Sequence, residues 1–321
     1  MADKQITPFQ LTDQFTMDNF NQRINETNIA LQSKPNPNLL DNWYFGNPVN
    51  QRGQTAYTAV GYTIDRWKLE ANGTVKSASV VSNGIALSNG DDTTYLNFVQ
   101  IVEKIPAGTY VVSFLVDDFS NVNQVFCSAN NQSSFTFNSN VVSLKFTLDA
   151  DSDSVRVGIQ KKLSGNALTV KAAKLELGSQ QTLAHQDADG NWVLNEIPDY
   201  GEQLARCQRY FRRIKAKQVY SSGVMFSFPI VDVGGATWAN INVILSTMMR
   251  DAKPSVSFHG LSVADYVSTQ SRGSISDNAE RNVIYYTGDT VKLSINTGIT
   301  LTDTDAIMMA SEGYIDIIND L

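Results

Sequence analysis

Apolar side chains near the amino terminus recur at alternating steps of three and four, which is the spacing of one face of a helix. The positions in this stripe are Met17, Phe20, Ile24, Thr27 and Leu31. Pro35 and Pro37 end the pattern and begin a stiff linker. We therefore predict a short helix. Its stripe packs on its own domain, forms the seam of a parallel oligomer through Met17, Phe20, Ile24 and Leu31, or serves as an adaptor that docks on a larger assembly.

From Asn38 to Gly178 the pattern changes to a period of two, in which apolar and polar residues alternate as they do along half-buried strands. Thr109 to Val116 is an apolar run that follows a turn at Pro106 to Gly108. A long series of short strands with turn signals between them favours a two-sheet jelly roll.

Two further runs of alternating residues flank the acidic turn from Asp149 to Asp153. Their apolar positions are Leu144, Phe146 and Leu148 before the turn, and Val155, Val157 and Ile159 after it. We expect these runs to form a hairpin or two neighbouring strands. In the final strand, Leu175 and Leu177 are expected to point inward, and Lys174 and Glu176 outward.

The segment DYGEQLARCQRYF places Leu204, Cys207 and Phe211 at helical spacing, which predicts a connecting helix. Its basic residues are Arg206, Arg209, Arg212 and Arg213, which on an acidic chain favour a solvated or interdomain face over a nucleic-acid site. Beyond Lys217, strand patterns resume at 224–230, 255–258, 283–286, 291–295 and 314–318.

Together these patterns predict an all-β chain with a short N-terminal helix, a jelly-roll β-sandwich, a connecting helix and a second, C-terminal β-sandwich. The predicted boundaries are 1–37 for the helical anchor and linker, 38–178 for the jelly roll, 179–213 for the second linker with the connecting helix, and 214–321 for the C-terminal domain.

The chain is acidic, with a formal net charge of -7 and a pI near 4.9, so it repels phosphate backbones and anionic lipids. Nucleic acid is therefore not an expected partner, and without an apolar run of about 18 residues membrane insertion is not expected either. The amino terminus MADKQITPFQ has no signal-peptide pattern, so we expect synthesis in the cytoplasm. Cys127 and Cys207, in different predicted domains, are expected to be reduced.

Four stretches stand in an order and at spacings that characterise a known family: NLLDNWYFGNPVNQRG at 38–53, YTIDRW at 62–67, KLELG at 174–178 and YGEQLARCQRYF at 200–211. They resemble phage and prophage tail-fibre or receptor-binding proteins whose jelly roll is like that of carbohydrate-binding modules. MMRDAKPSVS at 248–257 is more weakly similar to the stretch after the helix in such proteins. The resemblance implies a virion structural or adhesion role, with Trp43 and Trp67 in the jelly-roll core.

The resemblance implies an attachment protein that is made in the host cytoplasm and carried in the virion. Its expected partners are other virion structural proteins and a bacterial surface glycan, and the predicted N-terminal stripe favours a homotrimer. A head fibre, collar or capsid decoration protein with a purely structural role is the alternative.

Carbohydrate recognition uses aromatic faces for sugar rings and amide or carboxylate groups for hydroxyls. In the C-terminal domain the candidates are Trp238, Tyr266, Tyr285 and Tyr286, which lie among Asn240, Asn242, Asp265 and Asn282. Core packing is the alternative role of such strand aromatics. Because the N-terminal segment resembles an anchor, we expect the C-terminal domain to be the receptor-binding tip.

Catalysis is not expected, because His185 and His259 are the only histidines and no GxSxG, metalloprotease, P-loop or dinucleotide motif occurs. A glycosidase, which needs only two carboxylates, stays open as an alternative. No cofactor is expected beyond a possible calcium ion. Two acidic turns have the residue spacing of calcium's oxygen ligands: Asp149, Asp151 and Asp153 in one, and Asp187, Asp189 and Asn191 in the other. An ordinary polar turn of a hairpin explains either pattern equally well.

Overall fold

The computed structural model describes residues 17–18, 21, 36–90, 94–129, 139–163, 166–215, 224–233, 237–245, 254–265, 271–286, 290–301 and 305–318. It divides the chain into two compact units, one of residues 1–48 and 54–199, the other of 49–53 and 200–321. Within the described ranges, no helix has the length and apolar character needed to cross a membrane.

The first unit contains two antiparallel sheets. In spatial order, the first sheet consists of β1 (Ala56–Tyr57), β4 (Lys76–Val81), β5 (Gly84–Asn89), β11 (Leu168–Leu177), β7 (Gly108–Val116) and β9 (Val141–Leu148). The second consists of β2 (Gly61–Tyr62), β3 (Lys68–Ala71), β6 (Leu96–Ile105), β10 (Ser152–Lys161) and β8 (Val122–Cys127), with a short 3-10 helix at Phe119–Asn121. The predicted jelly-roll sandwich is confirmed.

From β6 onward, successive strands alternate between the two sheets, which corrects one prediction. The runs on either side of Asp149 to Asp153 are β9 and β10, and they lie in different sheets instead of forming a hairpin. Alternating apolar residues mark the buried face of a strand in either sheet, so the pattern did not distinguish a hairpin from a crossing between sheets. The acidic turn therefore connects one sheet of the sandwich to the other.

Aromatic side chains fill the space between the sheets. Trp67 is fully buried and stacks on Phe98 with ring centroids 4.8 Å apart, while Phe45 meets both rings edge-on. Trp43 is 3% exposed. Both tryptophans thus lie in the core, as the resemblance implied.

The motifs NLLDNW and YTIDRW brace the strands that enclose this core. Trp67 donates its indole N–H to the carbonyl of Asn42 at 3.0 Å, and the Asn42 amide donates to the carbonyl of Asp65 at 2.8 Å. Arg66, 3% exposed, pairs with Asp41 at 3.2 Å and donates to the carbonyl of Ile101 at 2.8 Å. These motif residues therefore have a structural role in this chain.

The outer face of β11 is covered, contrary to prediction. Lys174 and Glu176 are both 0% exposed, whereas Leu177 is 56% exposed. Residues 179–199, predicted as linker, fold with the first unit, place Leu183 in its core, and form a hairpin of β12 (Ala184–Gln186) and β13 (Trp192–Leu194). Since a local pattern reports only alternation, it could not reveal that a later segment covers the outward face.

The second unit is also a β-sandwich. After a helix at Tyr200–Cys207 come β14 (Phe211–Lys215), β15 (Val224–Val233), β16 (Trp238–Ile244), β17 (Ser255–Asp265), β18 (Ser271–Ser274), β19 (Arg281–Tyr286), β20 (Thr290–Asn296) and β21 (Asp305–Ile318). The spatial order is β18-β17-β21-β15-β16-β20-β19, and β14 also pairs with β21. β15 pairs with β21 in its first half and with β16 in its second, so it joins the strands β14, β17, β18 and β21 to the strands β16, β19 and β20.

The connecting helix ends at Cys207, four residues before the predicted end at Phe211. Phe211 instead begins β14, where it pairs with Ile318 at the end of β21. Tertiary pairing with β21 thus overrides the local helical spacing. Cys207 and Cys127 are both buried and form no disulfide bond, and each lies in its own unit.

Residues 49–53 form what we call the clasp, because they pack on β14 within the second unit. The Gln51 side chain donates to the carbonyl of Phe211 at 2.7 Å, and the Arg52 guanidinium lies 3.8 Å from the centroid of the Phe211 ring. Arg213 donates to the carbonyl of Arg52 at 2.7 Å and forms a two-bond pair with Asp316, each bond 2.6 Å. The segments NPVNQRG and CQRYF therefore meet in one unit.

Candidate functional site

The outer face of the five-stranded sheet in the first unit carries an unbroken row of polar side chains, which we call the polar row. By strand register, Glu70 of β3 lies beside Asn97 of β6, Asn97 beside Gln160 of β10, and Gln160 beside Gln124 of β8. All four are half-buried. Gln160 donates to the Asn97 side-chain oxygen at 2.9 Å and accepts from the side chain of Asn123.

A second feature of this face is Arg156, which extends from β10 to Glu70. Its Nε lies 3.2 Å from one carboxylate oxygen, and its Nη2 bonds the other. The guanidinium also lies 4.6 Å from the centroid of Phe126 on β8. The two charges are each about one-third exposed, so the pair is open to solvent.

Gly158 lies between Arg156 and Gln160 on the same strand and leaves room for these side chains. A Cβ at this position would come within 2.6 Å of Cγ1 of Val99 and 2.8 Å of Cζ of Phe126. Any larger residue would displace the Phe126 ring that supports Arg156. The lack of a side chain here therefore helps to set the shape of the face.

Chemically, this face can bind a polyhydroxylated ligand. Three side-chain amides both donate and accept hydrogen bonds, and the Glu70 carboxylate accepts them. Sugar hydroxyls need such mixed groups in a fixed arrangement, and here four adjacent strands hold them in register.

The glycan-binding candidates predicted in the second unit are only partly described. Trp238, half-buried, and Asn242, exposed, lie on one face of β16 with Asn240 between them. Asn240 stands in register with Ser294 of β20, which in turn pairs with Asn282 of β19. Tyr266 lies outside the described residues, as do the side chains of Tyr285 and Tyr286 in β19. The structure thus brings Trp238 and the three asparagines to one sheet face.

The acidic turns bond to the protein's own backbone. Asp151 accepts from the N–H of Ala107 at 2.8 Å, and Asp187 accepts from those of Asp189 and Asn191 at 3.0 and 2.8 Å. The bond from Asn191 is the main reason that the pKa of Asp187 is lowered. Asp149 and Asp153 are exposed. In the part of the chain that the structure describes, no group of three acidic, histidine or cysteine residues is placed to hold a metal ion.

Of the predicted oligomer seam, only Met17 is described, and its side chain is 67% exposed in a helical stretch. Phe20, Ile24 and Leu31 lie outside the described residues. Association through this stripe stays a prediction.

His259 has a carboxylate partner, as a catalytic histidine would. Its Nδ1 lies 2.5 Å from Asp277, and this hydrogen bond is the main reason that the pKa of Asp277 is lowered. A nucleophile would have to bond the other ring nitrogen, and no described hydroxyl or thiol does so. His185 bonds Asn195 at 2.5 Å instead. Neither histidine therefore belongs to a triad within the described ranges.

The sequence of β10 contains a signal for the polar row in its alternation of outward and buried residues. Arg156, Gly158 and Gln160 alternate with the buried Val155, Val157 and Ile159, which marks them as the outward set of a strand. Their importance depends on strands β3, β6 and β8, which are remote in sequence. Because register across a sheet is set by tertiary pairing, local alternation could not assemble the row.

Comparison with known proteins does not identify the chain. No family model matches it, and no curated protein does. One solved structure with some similarity is a cycloisomaltooligosaccharide glucanotransferase from Paenibacillus sp. complexed with cycloisomaltoheptaose, at 9% identity and a TM-score of 0.21. The match covers 85% of this chain and 48% of that one, so the chain spans about half of the neighbour's length. A TM-score this low shows neither a common fold nor a common activity.

Proposed function

We propose that this chain is a non-catalytic attachment subunit of a phage or prophage particle, a tail-fibre or receptor-binding protein that recognises a bacterial surface glycan. The observation that carries the proposal is the polar row of the first unit, Glu70, Asn97, Gln160 and Gln124, with the Arg156–Glu70 pair beside it. The resemblance of the four motif stretches supports the virion assignment.

Recognition on this face would rest on hydrogen bonds. Gln160 lies at the centre of the polar row, between Asn97 and Gln124, so a sugar bound there would contact amides on either side. The Phe126 and Tyr62 rings already lie against the cations of Arg156 and Lys68, at 4.6 and 4.5 Å. Ring stacking is therefore the smaller contribution, and the arrangement favours a hydrophilic glycan over an apolar ligand.

The sheet face around Trp238 is a second proposed contact in the second unit, and Tyr266, Tyr285 and Tyr286 remain candidate glycan contacts. We also retain the proposed homotrimer, attached to other virion proteins through the N-terminal segment. Three copies would raise the avidity of a weak glycan site without any new contact.

Gln160→Ala is expected to weaken glycan binding about 5- to 30-fold per site, because it removes both hydrogen-bonding groups from the centre of the polar row. Binding of the full-length chain would be measured on an array of purified bacterial capsular and lipopolysaccharide glycans, and then by calorimetry with the best binder. Lys145→Ala is the matched control, because Lys145 is exposed on the edge strand β9 of the other sheet.

If Gln160→Ala binds as the parent does while Trp238→Ala loses binding, the site lies in the second unit and the proposed face is incorrect. Release of reducing ends from any bound glycan would contradict the non-catalytic assignment. Thermal unfolding of each variant shows whether lost binding follows lost folding.

A further inference from the structure

A cleft of about 470 Å³ opens in the second unit between the beginnings of β17 and β19. Over these residues β17 pairs with β21 on one side, while its other neighbour β18 reaches only Ser262 to Ala264. β19 pairs with β20 alone among the described strands. The cleft therefore lies between two strand edges, and its volume falls in the roughly 300–1,000 Å³ range of small-molecule sites.

Arg281 spans this cleft in a fixed position. Its Nε donates to the carbonyl of Val256 on β17 at 2.7 Å, and its Nη1 donates to the carbonyls of Asp277 and Ala279, both at 3.0 Å. The guanidinium lies 5.0 Å from the centroid of the Phe258 ring. Four contacts thus hold a planar cation in place before any ligand arrives, which lowers the entropic cost of binding.

The same guanidinium keeps binding capacity. Neutral backbone carbonyls accept the protons of Nε and Nη1. Within the described part of the chain, Nη2 donates to no group, and no carboxylate lies within ion-pair distance of the guanidinium. The nearby Asp277 bonds His259 and the N–H of Gly260, and the charge of Arg281 helps to lower the pKa of Asp277 without a direct ion pair. A half-buried arginine with neutral hydrogen-bond partners and a free Nη2 favours an anion such as a carboxylate, which the two Nη2 protons can bind through charge-assisted hydrogen bonds.

The rest of the lining restricts what can carry that carboxylate. Val256, half-buried, and the buried Val283 and Leu293 provide an apolar surface, and Ser255 and Asn282 provide exposed polar groups. A ring with one apolar face and several hydroxyls fits such a surface. We propose that this cleft binds a sugar acid, with its carboxylate on Arg281 and its ring against Val256, Val283 and Leu293. This second ligand site goes beyond the glycan face of the first unit and is independent of it.

The test titrates glucuronate into the isotope-labelled full-length chain and follows the backbone amide resonances of residues 279–283 by NMR, with neutral glucose as the matched control. Glucuronate is expected to shift these resonances at millimolar concentration, and glucose is not. Arg281→Lys is expected to weaken glucuronate binding at least about fivefold, because a lysine cannot keep the backbone anchors and present a planar donor at once.

Because Arg281→Lys can also loosen the fold, Glu280→Gln provides an independent test. Glu280 is an exposed carboxylate in the cleft lining that would repel a bound acid. Its removal is expected to tighten glucuronate binding about threefold, as Coulomb's law gives for unit charges about 6 Å apart in water. Equal shifts with glucuronate and glucose, no shift with either, or weaker binding by Glu280→Gln would each overturn the proposal. Gln160→Ala, which changes the polar row of the first unit, should leave the affinity for glucuronate unchanged.

Discussion

A fragment of residues 36–199 is expected to unfold in one cooperative transition, whereas 36–178 should be less stable by about 5 kcal/mol. The shorter fragment ends where the sequence placed the jelly-roll boundary, and it lacks the segment that covers β11. That segment contributes Leu183, 1% exposed, to the core and packs Trp192 and Leu194 against it. Burying each such side chain contributes about 1.5–3 kcal/mol. Urea unfolding followed by tryptophan fluorescence and circular dichroism measures the difference.

The matched control is Leu183→Ala in the longer fragment, which should cost about 2–4 kcal/mol and thus show how much of the loss comes from one side chain. If 36–178 and 36–199 have the same urea midpoint and slope, residues 179–199 do not belong to the first unit. The clasp residues are present in both fragments, so they do not affect the comparison.

Lys174→Met is expected to lower the free energy of unfolding by about 3–5 kcal/mol, because it leaves a buried carboxylate without its cation. The Lys174 ammonium lies 3.1 Å from Glu196, 3.7 Å from Glu176 and 3.0 Å from the Thr182 hydroxyl. After the substitution, Glu176, which is fully buried, keeps only the N–H and hydroxyl of Thr182. Thermal unfolding of the full-length chain should show the first unit melting roughly 6–20 °C lower.

Two variants separate loss of charge pairing from loss of packing. Lys145→Met makes the same change at an exposed position on β9 and should leave the melting temperature nearly unchanged. Lys174→Met combined with Glu176→Leu removes both buried charges and should recover much of the lost stability. A double variant no more stable than Lys174→Met would mean that packing of the lysine stem, and not its charge, carries the effect.

The sequence predicted most of the fold because half-buried strands reveal themselves locally. Val155, Val157 and Ile159 in β10 are fully buried as expected, and so is Leu144 in β9. The C-terminal strands at 224–230, 255–258 and 314–318 all occur, and the structure extends β17 to Asp265 and β21 back to Asp305. Periodicity therefore identified these strands and the buried faces of β9 and β10, but it could not identify which strands pair with each other.

The parts that could not be predicted depend on contacts between remote segments. Lys174 and Glu176 were expected to face solvent, and only the return of residues 179–199 buries them. Glu70 and Gln160, 90 positions apart in sequence, share the polar row through the strand register of β3, β6 and β10. The burial of Lys174 and Glu176 and the assembly of the polar row thus both depend on tertiary contacts between remote segments, which the local sequence pattern does not show.

The clasp constrains where a recombination event could replace the second unit of this chain and keep its contacts intact. The chain enters the second unit at residue 49, leaves it after residue 53 and enters it again at residue 200. A single crossover near residue 199 would give a chimera whose Gln51 and Arg52 came from one parent and whose Phe211 and Arg213 came from the other. Their hydrogen bonds and the stacking of Arg52 on Phe211 need both sides to match. A chimera therefore keeps these contacts only if the clasp and β14 come from the same parent, or if both parents have the same residues in the clasp and in β14.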